Sequence, residues 1–296
     1  MLDDRTVRPV LRGGGVDHVR VRNLVLTAAV AVVGACSTPL KAQSAFGPAG
    51  GGSPGPGVSG LEIARGATTG VSPILLFGRN PDLDVGTEDL WAQGGNFVPP
   101  TAARVHALVS TSANDTAAGT GARTVFVEGL DSAFALASET VTLNGATPVN
   151  TVSSYTMIHR LTALTAGSGD VNAGAITATA AVDATVTCGI MVSAGRSQQA
   201  IFQIPAGKTG YLIQIQGGLQ GGGSGAVDLF VFAKPFGGAF TVLDNVALDS
   251  VGASALQINY MVPLVVTEKT IIKLRGTSSA VNLDVMGSFV VLLIDN

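Results

Sequence analysis

The chain has 296 residues, of which 46% are hydrophobic, only 12% are charged and 39 are glycine. The charged fraction is about half that of a typical globular protein, which excludes a solvated helical protein, while the hydrophobic fraction suffices for a core and excludes global disorder. Residues 1–43 carry six Lys/Arg against three Asp/Glu, and residues 44–296 carry the other eleven against seventeen, so the body lacks the clustered positive charge of a nucleic-acid binder.

Taken in chain order, residues 1–43 read as an N-terminal arm or leader. An apolar run, Leu24 to Ala35, follows Arg20 and Arg22, and Val33-Gly34-Ala35-Cys36 resembles a relaxed lipobox. That pattern makes Cys36 a candidate lipidation site in an exported cell-envelope lipoprotein, although the run begins some twenty residues into the chain. The other reading is an arm that docks on a neighbouring subunit. About a dozen apolar residues are too few for a transmembrane helix, which needs roughly 20. Residues 44–60, SAFGPAGGGSPGPGVSG, have the glycine and proline density of a linker. Residues 61–100 form a junction: 61–75 is expected as an extended lead-in, and 76–95 holds the chain's one tryptophan, Trp91, with the acidic cluster Asp82, Asp84, Glu88 and Asp89.

Beyond residue 100 the chain alternates short apolar runs with Gly, Asn, Asp and Ser. Strands are predicted at 103–110, 123–128, 139–143, 157–163, 175–181 and 185–192, and Asn144-Gly145 is a hairpin turn signal. A second set follows at 199–204, 210–216, 226–234, 239–243, 256–262, 270–275 and, in two pieces, 283–294. No amphipathic helix is expected after residue 60. The spacing predicts an all-β fold with two tandem antiparallel, jelly-roll-like β-sandwich domains, 101–196 and 197–296, after an extended arm.

The acidic cluster is the first candidate for chemistry. Counted from Asp82 as an EF-hand loop, the sixth position is Thr87 and the twelfth Gln93, so the calcium template fails. Asn80-Pro81-Asp82 reads instead as a turn start and Thr87-Glu88-Asp89 as a cap leading to Trp91. His18 lies in the arm. His106 and His159 lie in strand-like runs and read as packed side chains, as does Cys188 in TVTCGIMV. Ala206-Gly207-Lys208-Thr209 lacks the upstream glycine of a phosphate-binding loop and reads as a turn, and the glycines at 217–218 and 221–223 carry no dinucleotide fingerprint. No catalytic, cofactor-binding or metal-binding residue is assigned and no enzyme activity is expected; a glycosidase-like pair of carboxylates is the enzymatic alternative.

Several segments together point further. FGRNPDLDVGTEDLW (77–91), SANDTAAGTGAR (112–123), ETVTLNG (139–145), IPAGKTGYL (204–212), KPFGG (234–238), PLVVTEK (263–269) and LLIDN (292–296) resemble, in this order, a family of virion structural proteins of tailed bacteriophages, particularly marine ones. The resemblance spans residues 74–296 and leaves the arm and linker outside. It implies a component of the external virion surface, either a capsid decoration (cement) protein or a head or tail fibre, and no catalytic residues. The expected partners are copies of the chain itself in a homotrimer and the major capsid protein or other head and tail proteins. A host surface glycan or receptor is the further candidate, with Tyr211, Phe236 and Tyr260 as the aromatic side chains to meet it.

Overall fold

A computed structural model describes residues 56–222, 225–250 and 254–296. The arm of 1–43, with His18 and Cys36, and the linker up to residue 55 lie outside the described residues. The first element is a helix, α1 (Pro56–Ala64), where the sequence suggests the end of a linker and an extended lead-in. Proline opens the helix at a position where its missing N–H costs nothing. Leu61, Glu62 and Ala64 are good helix formers, and Gly66 closes the helix with φ +69°.

The rest is β-structure, as expected. β1 (Val71–Leu83) and β2 (Gly86–Asp89) come first, followed by β3 (His106–Ser110), β4 (Ala122–Leu130), β5 (Leu136–Thr142), β6 (Val149–Asn150), β7 (Met157–Ala166), β8 (Ile176–Ala180) and β9 (Val186–Ile190). The last group is β10 (Ile201–Gln203), β11 (Lys208–Gly222), β12 (Ala226–Lys234), β13 (Thr241–Asp249), β14 (Ala255–Val266), β15 (Ile271–Ser278) and β16 (Leu283–Asp295).

Strand pairing gives the architecture. β1 pairs with β16, β10 with β15, β11 with β14 and β12 with β13, all antiparallel. Numbered along the chain with β2 to β9 set aside, these eight strands pair first with eighth, second with seventh, third with sixth and fourth with fifth. Such nested pairing is a long antiparallel hairpin rolled into two facing sheets, β1-β16-β11-β14 and β10-β15-β12-β13, which is the jelly roll. β3 to β9 form a second sandwich, with sheets β6-β3-β8-β9 and β5-β4-β7, inserted between the roll's first and second strands.

The two sandwiches are therefore nested rather than consecutive. The segment expected as a junction supplies the roll's first strand, because Val71 to Leu83 runs beside β16 from Ile294 to Leu283. Asn80-Pro81-Asp82 is a bulge within that strand and not a turn: the register slips between Asn80 and Leu83, and Asp82 N donates to Asn80 Oδ1 at 3.1 Å. β16 is one strand and not two pieces. Asn144-Gly145 does turn the chain, with Gly145 at φ +60° and Thr147 N donating to Asn144 O at 3.0 Å. It makes no hairpin, however, because β5 and β6 belong to different sheets.

Each sandwich buries its own core. Leu83, Leu90, Phe202, Leu229, Leu274 and Phe289 are among the roll's core residues, and Leu108, Val125, Tyr155, Leu161 and Ile176 among those of the insert. A row of glycines, Gly78, Gly287 and Gly217, crosses three roll strands in register. A Cβ on Gly78 would fall on the Leu90 carbonyl oxygen and the Ala200 amide, so the absent side chain is what lets the 90–91 loop sit against the sheet.

Candidate functional site

The loop that follows β2 ties the two sandwiches together. Leu90 N donates to Leu274 O and Ala200 N to Leu90 O, both at 2.9 Å. Trp91 is buried with Phe97, Met157 of the insert, and Ile201 and Ile271 of the roll. Its ring meets Phe97 edge-on at 5.5 Å, and Nε1 donates to Gly95 O at 3.2 Å.

Under this loop lies a fully buried carboxylate, Asp89. Its Oδ2 accepts from Phe97 N and from Lys273 Nζ, each at 2.8 Å. Arg275 Nε lies 2.9 Å from Oδ1 without hydrogen-bond alignment, so that contact is an ion pair only. Burial depresses the Lys273 pKa and Asp89 opposes the shift. The acidic cluster of the sequence is thereby dispersed. Glu88 Oε2 accepts from Asn80 Nδ2 at 2.6 Å and from Gly95 N at 3.0 Å, while Asp82 and Asp84 face solvent. Among the described residues no three His, Cys, Asp or Glu side chains are grouped as a metal ion would require.

The other candidates lie apart from one another. His106 is buried, with Nδ1 2.9 Å from Arg104 O, and burial lowers its pKa to about 4 against the opposing hydrogen bond. His159 lies 4.2 Å from the Phe202 ring and accepts from Gln203 N through Nε2 at 3.3 Å. Burial, with the Arg160 charge adding to it, takes its pKa down to about 3. Cys188 is buried in the insert core, where desolvation pushes its thiol up to about 12. Ala206 and Gly207 form the turn between β10 and β11, and Lys208, the first residue of β11, is paired to Asp295. Tyr260 is half-buried and donates its hydroxyl to Asp244 Oδ2 at 2.6 Å. Tyr211 is half-buried in β11. Phe236 is 65% exposed at the tip of the β12–β13 turn, where Gly238 N donates to Pro235 O at 2.9 Å.

Two features are visible only in three dimensions. Asp115, fully buried in the SANDTAAGTGAR segment, accepts from Ser110 Oγ at 2.6 Å, Ala122 N at 2.7 Å, and Ala173 N and Gly174 N at 2.8 Å. The glycines around it were the available sequence signal, because loops that close on a carboxylate need bare backbone.

The second feature is the flank formed by the edge strands β13 and β14. Val242, Leu243, Leu256, Met261, Val262 and Val265 are all exposed there, Met261 wholly and Val262 by 80%. β14 pairs with β11 up to Asn259 and again from Leu264, with one β11 residue between against four on β14. The resulting bulge throws Met261 and Val262 outward, while Pro263 removes an edge donor. A bulge and a proline blunt an edge against strand addition, so this flank presents side chains rather than free backbone. The run MVPLVV gave a partial sequence signal, but a buried strand would read the same.

No family model matches this sequence, and no curated protein matches it. Among solved structures, a chain of the structure of infectious bursal disease virus Gt strain is similar over 76% of this chain and 72% of that chain, with 11% identity and a TM-score of 0.20.

Proposed function

We propose that this chain is a non-enzymatic structural component of a virus particle, in keeping with the resemblance of residues 74–296 to tailed-phage virion proteins. In this reading it stands on the external surface as a decoration protein or a head or tail fibre, contacts the major capsid protein or its neighbours, and assembles with its own copies as a homotrimer. The observation that carries the reading is the apolar β13–β14 flank of a jelly roll. Jelly rolls recur in viral capsids and lectin domains, which is an analogy of fold and carries no function by itself. The flank adds the specific element: clustered exposed side chains of this kind mark contact sites, and contacts among identical chains close into symmetric oligomers.

Sedimentation velocity tests it. The full chain is expected to run as a trimer, and Met261→Asp with Val262→Asp as a monomer with an unchanged far-UV circular dichroism spectrum, since neither side chain packs in the core; its melting temperature falls only by what association contributes. A wild-type monomer, or a trimer indifferent to both substitutions, removes this interface. Quantifying the chain in purified particles then places it: hundreds of copies mean decoration, and a few dozen or fewer mean collar or tail.

A further inference from the structure

Four connections converge on a cleft at the boundary of the two sandwiches: residues 99–102, the β4–β5 loop, the β12–β13 loop and the β14–β15 loop. Its volume is about 240 Å³. The rings of Phe134 and Phe236 meet there edge-to-face, with centroids 5.4 Å apart. Lys269 Nζ lies 5.6 Å from both centroids, within the reach at which a ring face attracts a cation. Lys234 completes the wall.

The charges of this cleft are unmatched. Among the described residues that line it there is no carboxylate, and neither Lys234 nor Lys269 belongs to an ion pair among the described residues. Glu268, the nearest acid along the chain, accepts from Gly207 N at 2.6 Å instead. Lys273 and Arg275, on the neighbouring strand, are both answered by Asp89.

The backbone fixes the direction in which the Phe134 ring and the Lys269 stem leave the chain. Phe134 has φ +62° and Lys269 φ +59°, a region where a side chain is strained and glycine or asparagine is the easier choice. Asp131 Oδ1 accepts from Ala133 N at 2.8 Å and Ala135 N at 3.0 Å, holding the Phe134 turn. Both strained residues are tied to one segment of the roll: Ala206 N donates to Phe134 O at 2.9 Å, and Lys269 N to Ile204 O at 2.8 Å. Strained backbone of this kind collects at binding sites, where the surrounding structure holds it.

We infer that this cleft binds a single carboxylate-bearing sugar ring, the terminal uronic-acid-type residue of an acidic surface polysaccharide. The exposed Phe236 ring offers apolar surface to a pyranose, and two ammonium groups that meet only aromatic rings, Lys269 on Phe134 and Phe236 and Lys234 on Phe240 at 5.6 Å, answer its carboxylate. The volume lies below the ~300–1,000 Å³ of sites for larger ligands, so it takes one ring and leaves the rest of the glycan outside. An inorganic anion would leave the two phenylalanines without a role. A nucleic acid would need a run of cations along its phosphates, whereas here two stand on a body with eleven Lys/Arg against seventeen Asp/Glu. The cleft is complete within one chain, so its test is separate from that of the trimer.

Isothermal titration of the full chain with trigalacturonic acid, galactotriose, an octathymidylate and sodium sulfate tests the assignment. Trigalacturonic acid is expected to bind saturably and galactotriose at least about tenfold more weakly, a difference of about 1.4 kcal/mol. Lys269→Met and Phe236→Ala lose about tenfold in affinity with no change in melting temperature. Phe134→Gly, a residue that this backbone position accepts, loses the same affinity while keeping or raising the melting temperature. Equal binding of the neutral trisaccharide, unaltered affinity in the three variants, tighter binding of the octathymidylate, sulfate alone reproducing the affinity, or no binding of trigalacturonic acid would each overturn the assignment.

Discussion

In the inserted sandwich, loops are closed by the insert's own carboxylates. Asp115 gathers four donors, Glu139 accepts from Val152 N, Ser153 N and the Tyr155 hydroxyl, and Asp183 holds Thr101 and Arg104. Its exposed apolar side chains, Leu136, Val152, Leu164, Val182 and Val192, are scattered among its loops and strands, as is ordinary on a protein surface. The jelly roll scatters some of its own, such as Leu75 and Val281, but sets Val242, Leu243, Leu256, Met261, Val262 and Val265 together on β13 and β14, and its outer-face amides pair across strands, as Gln214 with Asn259 and Gln216 with Gln257. The insert thus spreads its exposed apolar side chains, and the roll gathers several of its own on one flank. The apolar cluster belongs to the roll, and the carboxylate-closed loops belong to the insert.

The largest expected effect is at the seam where the two meet. Asp89→Ala removes the carboxylate that answers Lys273 and Arg275 and leaves Phe97 N without its acceptor. Breaking a buried pair from one side costs about 3–5 kcal/mol, measured as a shift in the urea midpoint. Trp91 reports the site directly, and its emission should move to the red as the 89–97 loop loosens; an unchanged midpoint and emission would mean that the ion pair does not hold the seam. Next comes Asp115→Ala, expected to cost about 3 kcal/mol because buried amides lose a charged acceptor. Hydrogen exchange localises the loss: protection should fall at 110–122 and 172–175 and persist in β11 and β16. Equal loss in both sandwiches would contradict the division of roles.

Much of this arrangement could be read from the sequence. The strand runs of 226–234 and 157–163 coincide with β12 and with most of β7, because alternating burial on a sheet leaves a period of two in the residues. The roll's first strand escaped because VSPILLFGRNPDL mixes an apolar run with a proline and a polar end. Its partner, β16, lies some two hundred residues away, and periodicity says nothing about such distances. The α1 helix escaped for a local reason, since the glycines and prolines before it read as linker while Leu61 to Ala64 decide the backbone. The acidic cluster looked like one feature because its members are close in sequence, but Asp82 in the β1 bulge and Asp84 between β1 and β2 face solvent while Asp89 at the end of β2 is buried. Phe236 was legible only as one of three aromatic candidates for a glycan, beside Tyr211 and Tyr260. Phe134 and Lys269 were not, because a left-handed φ at a phenylalanine or a lysine leaves no mark on composition.

The effect that is smallest at neutral pH, and grows only as acid is added, distinguishes the two regions. His106, inside the insert, has its pKa lowered to about 4, and His159, packed on Phe202 of the roll, to about 3; the ordinary value is 6.5. Each is neutral in the folded state and takes up a proton on unfolding, so its contribution is intact above pH 6.5 and declines as the pH falls toward the folded value. The slope is about 1.4 kcal/mol per pH unit for each group. Asp115 has its pKa lowered because four hydrogen bonds outweigh the larger single opposing effect of burial, so its contribution is lost only further into acid, below the ordinary carboxylate value. Between these limits the acid limb belongs to the histidines. His159→Gln keeps an acceptor for Gln203 N and should remove about half of that slope in urea midpoints taken between pH 6.5 and 4. The remainder then belongs to His106 within the insert, and a limb of undiminished slope in the variant would mean that the seam does not take part in acid unfolding.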